Sequence, residues 1–411
     1  MPTFDVIAIL LTLAAIFGYV NFRYIKLPTT IGIMLLGLLF SLLVIVAGKF
    51  SPTITETATL FVAGIEFDEA LLGIMLSYLL FAGALHVNLE DLANQKRIIA
   101  ILATVGVVFS TFVTGSLSWL LLKAMGMNPQ YIYCLLFGAL ISPTDPVAVL
   151  GILKKAGAPK SIETKITGES LFNDGVGVVV FLSLLAVATG EMQPTVGNIS
   201  TLFAKEIIGG VLLGFALGLI GFSMLRKIDN YQVEILITLA LVTGGYALAN
   251  RLHISGPLAM VVAGLIIGNQ ARKLAMSRKT QKHLDTFWEL IDEVLNAMLF
   301  LLIGLEVLIL DFQGDYLLFG LLAIPLTLAV RLTAVSLPVI FLKHSRDFSP
   351  GVIRALTWGG LRGGISVALA LSLPKGEIRD LILLATYLVV IFSIAIQGTT
   401  LKHFLPKAEK G

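Results

Sequence analysis

Apolar stretches of about 20 residues recur along the whole chain, separated by short polar connections. A helix that rises about 1.5 Å per residue needs roughly that length to cross a hydrocarbon core about 30 Å thick. Only 13% of the residues are charged, against roughly 25% in a soluble domain. Lipid cannot satisfy open backbone groups, and the alternating pattern of barrel strands is absent from the sequence. The sequence therefore predicts an all-α integral membrane protein.

The apolar pattern predicts thirteen transmembrane spans. Their approximate bounds are 5–22, 28–47, 69–88, 98–122, 131–153, 163–189, 203–225, 232–250, 255–269, 288–310, 315–341, 351–373 and 378–401. Of the lysines and arginines, 20 lie after odd-numbered spans or at the C-terminus, a count that includes Lys165, and 6 lie in the other connections. Because basic residues are in excess on the cytoplasmic side, we expect the N-terminus outside and the C-terminus in the cytoplasm of a cell-membrane protein.

The sequence also narrows the classes of function. It contains no GxxxxGKS nucleotide loop and no basic patch interleaved with aromatic residues, so neither ATP nor nucleic acid is an expected partner. Cys134 is the single cysteine, and no histidine cluster occurs, so no cofactor and no transition-metal site are predicted. Any transport is expected to be driven by an ion gradient.

Residues 141–151 read ISPTDPVAVLG inside the fifth span. Pro143 and Pro146 have no backbone N–H, so carbonyls one turn earlier lose their helical donors. Residues that precede proline also favour extended backbone, so the helix is predicted to break around Thr144. Unwound segments at mid-depth supply ion ligands in transporters, which makes Thr144 and Asp145 candidate site residues. The alternative is a proline kink that serves packing alone.

The sixth span contains TGESLFNDGVGVVVF at residues 167–181. Its side chains Glu169, Ser170, Asn173 and Asp174 form one patch, because residues four apart share a helix face and the two rows are adjacent. Oxygen donors at this density suit a small alkali cation. The glycines in the motif would let a neighbouring backbone approach, such as that of the broken fifth span. The alternative is a polar packing seam.

Other ionisable residues within spans are functional candidates, because such groups cost several kcal/mol unless they are paired or hydrated. They are Glu306, Arg331 and Arg362. Arg331 lies mid-span and needs a carboxylate, for which Glu169 is the predicted partner. Arg362 lies in TWGGLRGGIS, whose glycines would allow the twelfth span to break opposite the fifth. The alternative for Arg362 is an anchor that reaches to lipid headgroups.

A broken span followed by a continuous helix occurs twice, as spans 5 and 6 and as spans 12 and 13. The odd offset between the two pairs inverts one relative to the other across the membrane. Inverted repeats with a site near mid-depth are therefore predicted.

Four motifs together resemble the monovalent cation:proton antiporter superfamily, in particular the sodium/proton exchangers of its electroneutral branch. They are GALISPTDPVAV at 138–149, GESLFNDGVGVVVF at 168–181, the arginine at 331, and WGGLRGGISVALALSLP at 358–374. The resemblance covers nearly the full chain. It implies a transporter, not an enzyme, that exchanges one Na⁺, or Li⁺ or K⁺, for one H⁺. A K⁺/H⁺ antiporter, a sodium-coupled carrier of an organic solute and an ion channel are the alternatives.

The resemblance also implies an architecture. It is a homodimer in membrane lipid, with spans 5 and 12 discontinuous and crossing each other. The dimerisation domain would comprise residues 1–95 and, with a linker helix, residues 191–311. The ion-transporting core would comprise residues 96–190 and, with a short cytoplasmic tail, residues 312–411.

In this family the aspartate of an Asn-Asp pair holds either the cation or the proton, and the corresponding residue here is Asp174. The resemblance assigns the other roles as follows: Asn173, Ser170, Thr144 and Asp145 support the site, with Thr144 and Ser170 joining Asp174 as Na⁺ ligands; Glu169 and Arg331 form a structural ion pair; and Arg362 belongs to the second crossing motif.

Two positions in span 3 bear on how the cation is held. Many relatives have a glutamate where this chain has Ala82, which leaves the cation preference open. His86 follows four residues later and is expected to be inert rather than a pH sensor.

Overall fold

The computed structural model describes residues 3–65, 71–145, 149, 153, 157–310, 312–343, 348 and 351–405, and these residues contain helices and turns but no strand. The main helices are α1 (Phe4–Ile25), α2 (Thr29–Gly48), α3 (Pro52–Ala63), α4 (Leu71–Leu85), α5 (Leu89–Ala124), α6 (Tyr131–Ile141), α7 (Lys160–Ala188), α8 (Val196–Leu225), α9 (Tyr231–Leu252), α10 (Gly256–Ile266), α11 (Arg278–Glu306), α12 (Gly314–Leu342), α13 (Val352–Trp358), α14 (Gly364–Leu371) and α15 (Glu377–Gly398).

Helix is present at each of the thirteen predicted span positions, as far as the described residues reach. Eight of these helices are individually long and apolar enough to cross a membrane. The exact number of crossings stays a prediction. Helix α3 has no counterpart among the predicted spans, because its threonine-rich sequence lacks a continuous apolar stretch.

Two of the predicted spans are interrupted. Helix α6 ends at Ile141, and residues 142–145 are not helical. The rest of that span, including Pro146, lies outside the described residues apart from two isolated positions. In the twelfth span, residues 359–363 separate α13 from α14. Both interruptions fall where prolines or glycines weaken a helix.

Glycines allow the closest helix contacts. A side chain at Gly138 of α6 would overlap the carbonyl of Thr111 in α5. A side chain at Gly304 of α11 would overlap the backbone of α2, where Ser41 Oγ donates to the Gly304 carbonyl at 2.9 Å. Such backbone contacts bind membrane helices together by van der Waals packing. They hold α6 beside α5, and α11 beside α2.

The structure corrects the counting of Lys165 as a cytoplasmic loop charge. The residue lies inside the predicted sixth span, 163–189, and the structure buries it in the second turn of α7, which begins at Lys160. Its Nζ lies 5.7 Å from the centre of the Phe348 ring. Lys160 itself pairs with Asp91 at 2.8 Å. The helix therefore starts earlier than its apolar stretch, and the charge asymmetry loses one residue.

Candidate functional site

Helix α7 carries the polar patch that the sequence predicts. Glu169, Ser170, Asn173 and Asp174 are all buried, although they lie in a helix that is long and apolar enough to cross a membrane. Burial of so many polar groups is costly unless each finds a partner or a ligand. Their contacts differ: two of them bind the unwound segment, one forms an ion pair, and Asp174 does neither within the described residues.

Asn173 and Ser170 hold the unwound segment at Thr144. Asn173 Oδ1 accepts the Thr144 N–H at 3.3 Å, and Asn173 Nδ2 donates to Thr144 Oγ1 at 2.9 Å. Thr144 Oγ1 and Ser170 Oγ lie 2.8 Å apart in a hydrogen bond that either hydroxyl can donate. Asn173 therefore substitutes for the helical partner that the Thr144 N–H lacks after the break.

Glu169 forms an ion pair. Arg331 of α12 binds Glu169 with both terminal nitrogens; the Nη2–Oε2 distance is 2.9 Å. Nη2 also donates to the carbonyl of Leu356, in the last turn of α13, at 3.0 Å. A two-pronged pair of this kind fixes both side chains. It joins α7, α12 and α13, and it neutralises one of the two acids of the patch.

Asp174 is 4% exposed. Within the part of the chain that the structure describes, its carboxylate makes no hydrogen bond or ion pair, and the charged neighbour that acts on it is Asp145, by repulsion. It follows Ser170 by one helical turn, so its carboxylate lies on the same face as the Ser170 hydroxyl. Asp174 is thus the acid of the patch that remains available to a ligand.

The two interruptions contact each other. The Asp145 N–H donates to the Leu361 carbonyl at 2.7 Å. The Asp145 carboxylate lies against Gly363, where any side chain would overlap it. Because α14 begins at Gly364, this carboxylate is beside the positive end of a helix dipole.

Arg362, in the interruption of the twelfth span, binds the end of α6. Its Nη1 donates to the carbonyls of Ser142 and Pro143, the latter at 2.7 Å, beyond the last turn of α6. The negative end of α6 is therefore neutralised by a guanidinium. Arg362 is 5% exposed, and its backbone N–H donates to Ser393 Oγ at 2.9 Å. The alternative in which it reaches to lipid headgroups is wrong.

The glycines of α7 have different neighbours. A side chain at Gly177 would overlap the ring of Pro143, so this glycine does admit the broken segment. Gly168 instead faces Ile99 of α5, and Gly175 faces Leu258 of α10. Of the three glycines, only Gly177 faces the broken fifth span, as the sequence predicts.

We expect Gly177→Ala to destabilise the protein by about 1–3 kcal/mol, the usual cost of overpacking, because the stiff Pro143 ring cannot move aside. Thermal unfolding in detergent measures the effect. The matched control is Gly244→Ala on α9, where an added methyl meets nothing within 4 Å. The contact has no energetic role if both substitutions shift the unfolding temperature equally.

The remaining sequence candidates lie in α11, in α4 and just after α4. Glu306 is buried near the end of α11 and acts electrostatically on Tyr387 of α15. Ala82 is buried in α4, and His86 is exposed just after that helix. Among the described residues, no group of three His, Cys, Asp or Glu side chains could hold a metal ion.

Known proteins of one family are similar to this chain. The family model described as "Sodium/hydrogen exchanger, transmembrane" matches residues 9–407. The Na⁺/H⁺ antiporter NhaP of Pseudomonas aeruginosa is 52% identical over 97% of this chain and 95% of its own length. The Na⁺/H⁺ antiporter NhaH of Halobacillus dabanensis is 35% identical over 94% and 93%.

A solved structure has the same fold. The sodium proton antiporter MjNhaP1 of Methanocaldococcus jannaschii superimposes with a TM-score of 0.76 over 98% of both chains, at 19% identity. The match of the family model covers nearly all of the chain, and the two bacterial relatives align over almost their whole length. The chain therefore belongs to the transmembrane sodium/hydrogen exchanger family, and it is a membrane antiporter and not an enzyme.

Proposed function

We propose that the protein exchanges Na⁺ for H⁺ across the membrane, and that the two ions compete for Asp174. The observation that carries this proposal is the contrast between two buried acids of α7. Glu169 is neutralised by Arg331, whereas Asp174, one helical turn after Ser170, has no cationic partner within the described residues. The names of the relatives, which are Na⁺/H⁺ antiporters, support the same pair of ions.

In the proposed cycle, deprotonated Asp174 holds a cation together with oxygens of Thr144, Ser170 and water. Protonation neutralises the carboxylate and releases the cation. Either occupant removes a bare charge from the membrane interior, so the loaded core can move between the two sides while the empty, charged core cannot. Exchange then follows from the alternation of the two loads.

The neighbouring charges need not change during this cycle. Asp145 lies at the positive end of α14, and Arg362 lies at the negative end of α6. Asn173 is a neutral amide that is already bonded to Thr144. Asp174 is therefore the single group proposed to gain and lose charge, and one proton is exchanged for one monovalent cation.

This stoichiometry predicts electroneutral exchange. In proteoliposomes that contain a pH-sensitive dye, the Na⁺-driven proton flux should be the same with and without a potassium diffusion potential set by valinomycin. A strong change of rate or of final pH gradient with potential would contradict one-for-one exchange. The control is the diffusion potential applied to protein-free liposomes, which reports any leak of protons.

The cation is tested in the same system. Proteoliposomes that are challenged with Li⁺, Na⁺ or K⁺ over a pH series should show saturable exchange with Na⁺. Exchange with K⁺ alone would replace the proposal by a K⁺/H⁺ antiporter. Saturable counterflow of protons separates either antiporter from a channel, and flux without an organic solute separates it from a sodium-coupled carrier.

The proposal includes the architecture implied by the resemblance. It is a homodimer in the cell membrane, with inverted repeats, spans 5 and 12 crossing at their interruptions, and the C-terminus in the cytoplasm. The hydrogen bond between Asp145 and Leu361 supports the crossing, because it joins the two interrupted spans at their breaks. Residues 1–95 and 191–311 would form the dimerisation domain around the two halves of the core.

A further inference from the structure

One face of α11 reaches α14, the second half of the interrupted twelfth span. Residues spaced by three or four positions share a face, and Trp288, Asp292, Asn296 and Leu299 follow this spacing. We call these four residues the α11 stripe. None of the four stands out in the sequence, because α11 is amphipathic at this end.

The two ends of the stripe have clear anchors. The Trp288 indole N–H donates to Thr238 Oγ1 of α9 at 3.1 Å, and its ring centre lies 4.8 Å from that of Phe81 in α4. Leu299 contacts Gly364, where an added side chain would overlap it. The stripe is therefore fixed to α4 and α9 at one end and touches the start of α14 at the other.

The two polar residues lie between these anchors. Asp292 is half-buried and is repelled by Asp145, whose carboxylate lies against Gly363, next to the Gly364 that Leu299 of the stripe contacts. Asn296, only 2% exposed, donates its amide N–H to Asp292. The Asn296 Oδ1 atom has no hydrogen-bond partner within the described residues.

These facts point to a ligand rather than to packing. A buried carbonyl oxygen without a partner destabilises the fold, and carboxylates kept in mutual repulsion add to that cost. A monovalent cation would satisfy both, because it attracts the carboxylates and accepts an amide oxygen as a ligand. Asp145 repels both Asp292 and Asp174, so it links the α11 stripe electrostatically to the acid of α7.

We propose that Asp292, held in place by Asn296, is a cation-recruiting residue that concentrates the alkali cation beside Asp145 on its way to Asp174. The proposal rests on the proposed function and extends it to a helix outside the predicted ion-transporting core. Asp292 raises the local concentration of the cation and takes no part in the exchange of proton for cation. Neutralising it weakens the capture of the cation and leaves the later steps unchanged.

The test is steady-state Na⁺/H⁺ exchange by the full chain in proteoliposomes. Asp292→Asn should raise the apparent KM for Na⁺ several-fold while the maximal rate stays close to that of the wild type. Asp292→Glu should restore the wild-type KM, because it restores the charge. Added choline chloride should reduce the difference between wild type and Asp292→Asn, since salt screens a partly exposed charge.

The matched control is Glu293→Gln. Glu293 is the next residue on α11, carries the same charge and is exposed. An unchanged KM in Asp292→Asn, or an equal change in Glu293→Gln, overturns the inference while the exchange and its dependence on Asp174 still stand. Exchange that persists without Asp174 would instead overturn the proposed function. A fall in maximal rate alone would indicate a structural role for Asp292 and would also contradict the inference.

Discussion

Replacement of Asp174 by asparagine is expected to abolish Na⁺/H⁺ exchange. The amide has nearly the shape of the carboxylate, but it cannot bind a proton at ordinary pH and carries no charge to hold a cation. Both loads of the proposed cycle are therefore lost together. Dye-reported proton flux in proteoliposomes should fall to the level of protein-free liposomes with Li⁺, Na⁺ and K⁺ at every pH.

The same variant should fold normally. Within the described residues no hydrogen bond or ion pair depends on the Asp174 carboxylate, and its loss removes the repulsion from Asp145. Thermal unfolding in detergent should be unchanged or shifted upwards, which separates loss of function from loss of fold. The control is Asp315→Asn, at an exposed acid in the first turn of α12, which should leave exchange intact. Undiminished exchange by Asp174→Asn would rule out the competition mechanism.

The sequence predicts the contacts whose partners are charged side chains or special backbone residues. Proline without an N–H predicts the break at residues 142–145, and a mid-span arginine predicts a carboxylate partner such as Glu169. The four-residue spacing of α7 predicts that Ser170 and Asp174 share a face. These inferences succeed because each depends on local chemistry that the letters of the sequence contain.

The sequence does not predict contacts whose partners are carbonyl groups or distant helices. Arg362 donates to the carbonyls of Ser142 and Pro143, and every residue has such a carbonyl, so no letter marks the acceptor. Asp292 lies in an amphipathic stretch where an acid is unremarked, and only the packing of α11 brings it near Asp145. Tertiary packing decides both.

Single neutralisation of the Glu169–Arg331 pair is expected to destabilise the fold by about 3–5 kcal/mol, because it leaves one buried charge without its partner. In Glu169→Gln the guanidinium keeps its hydrogen bond to the Leu356 carbonyl but loses the carboxylate that balances its charge. In Arg331→Met the Glu169 carboxylate is left buried and unbalanced. Thermal unfolding in detergent should show both losses, together with reduced exchange.

The double variant Glu169→Gln/Arg331→Met distinguishes a paired interaction from two separate ones. If the partners act on each other, the double variant should lose less stability than the two single variants lose together. The reason is that the double variant leaves no lone buried charge, whereas each single variant leaves one. The control is the exposed pair of Lys273 and Glu90, 2.7 Å apart, where Glu90→Gln should leave the unfolding temperature unchanged because solvent screens the charges. Additive losses in the double variant would mean that the contact is geometric and carries no coupling energy. If the double variant recovers stability but not exchange, the pair is needed for the arrangement of the core helices. It joins α7, which carries Asp174, to α12 and α13.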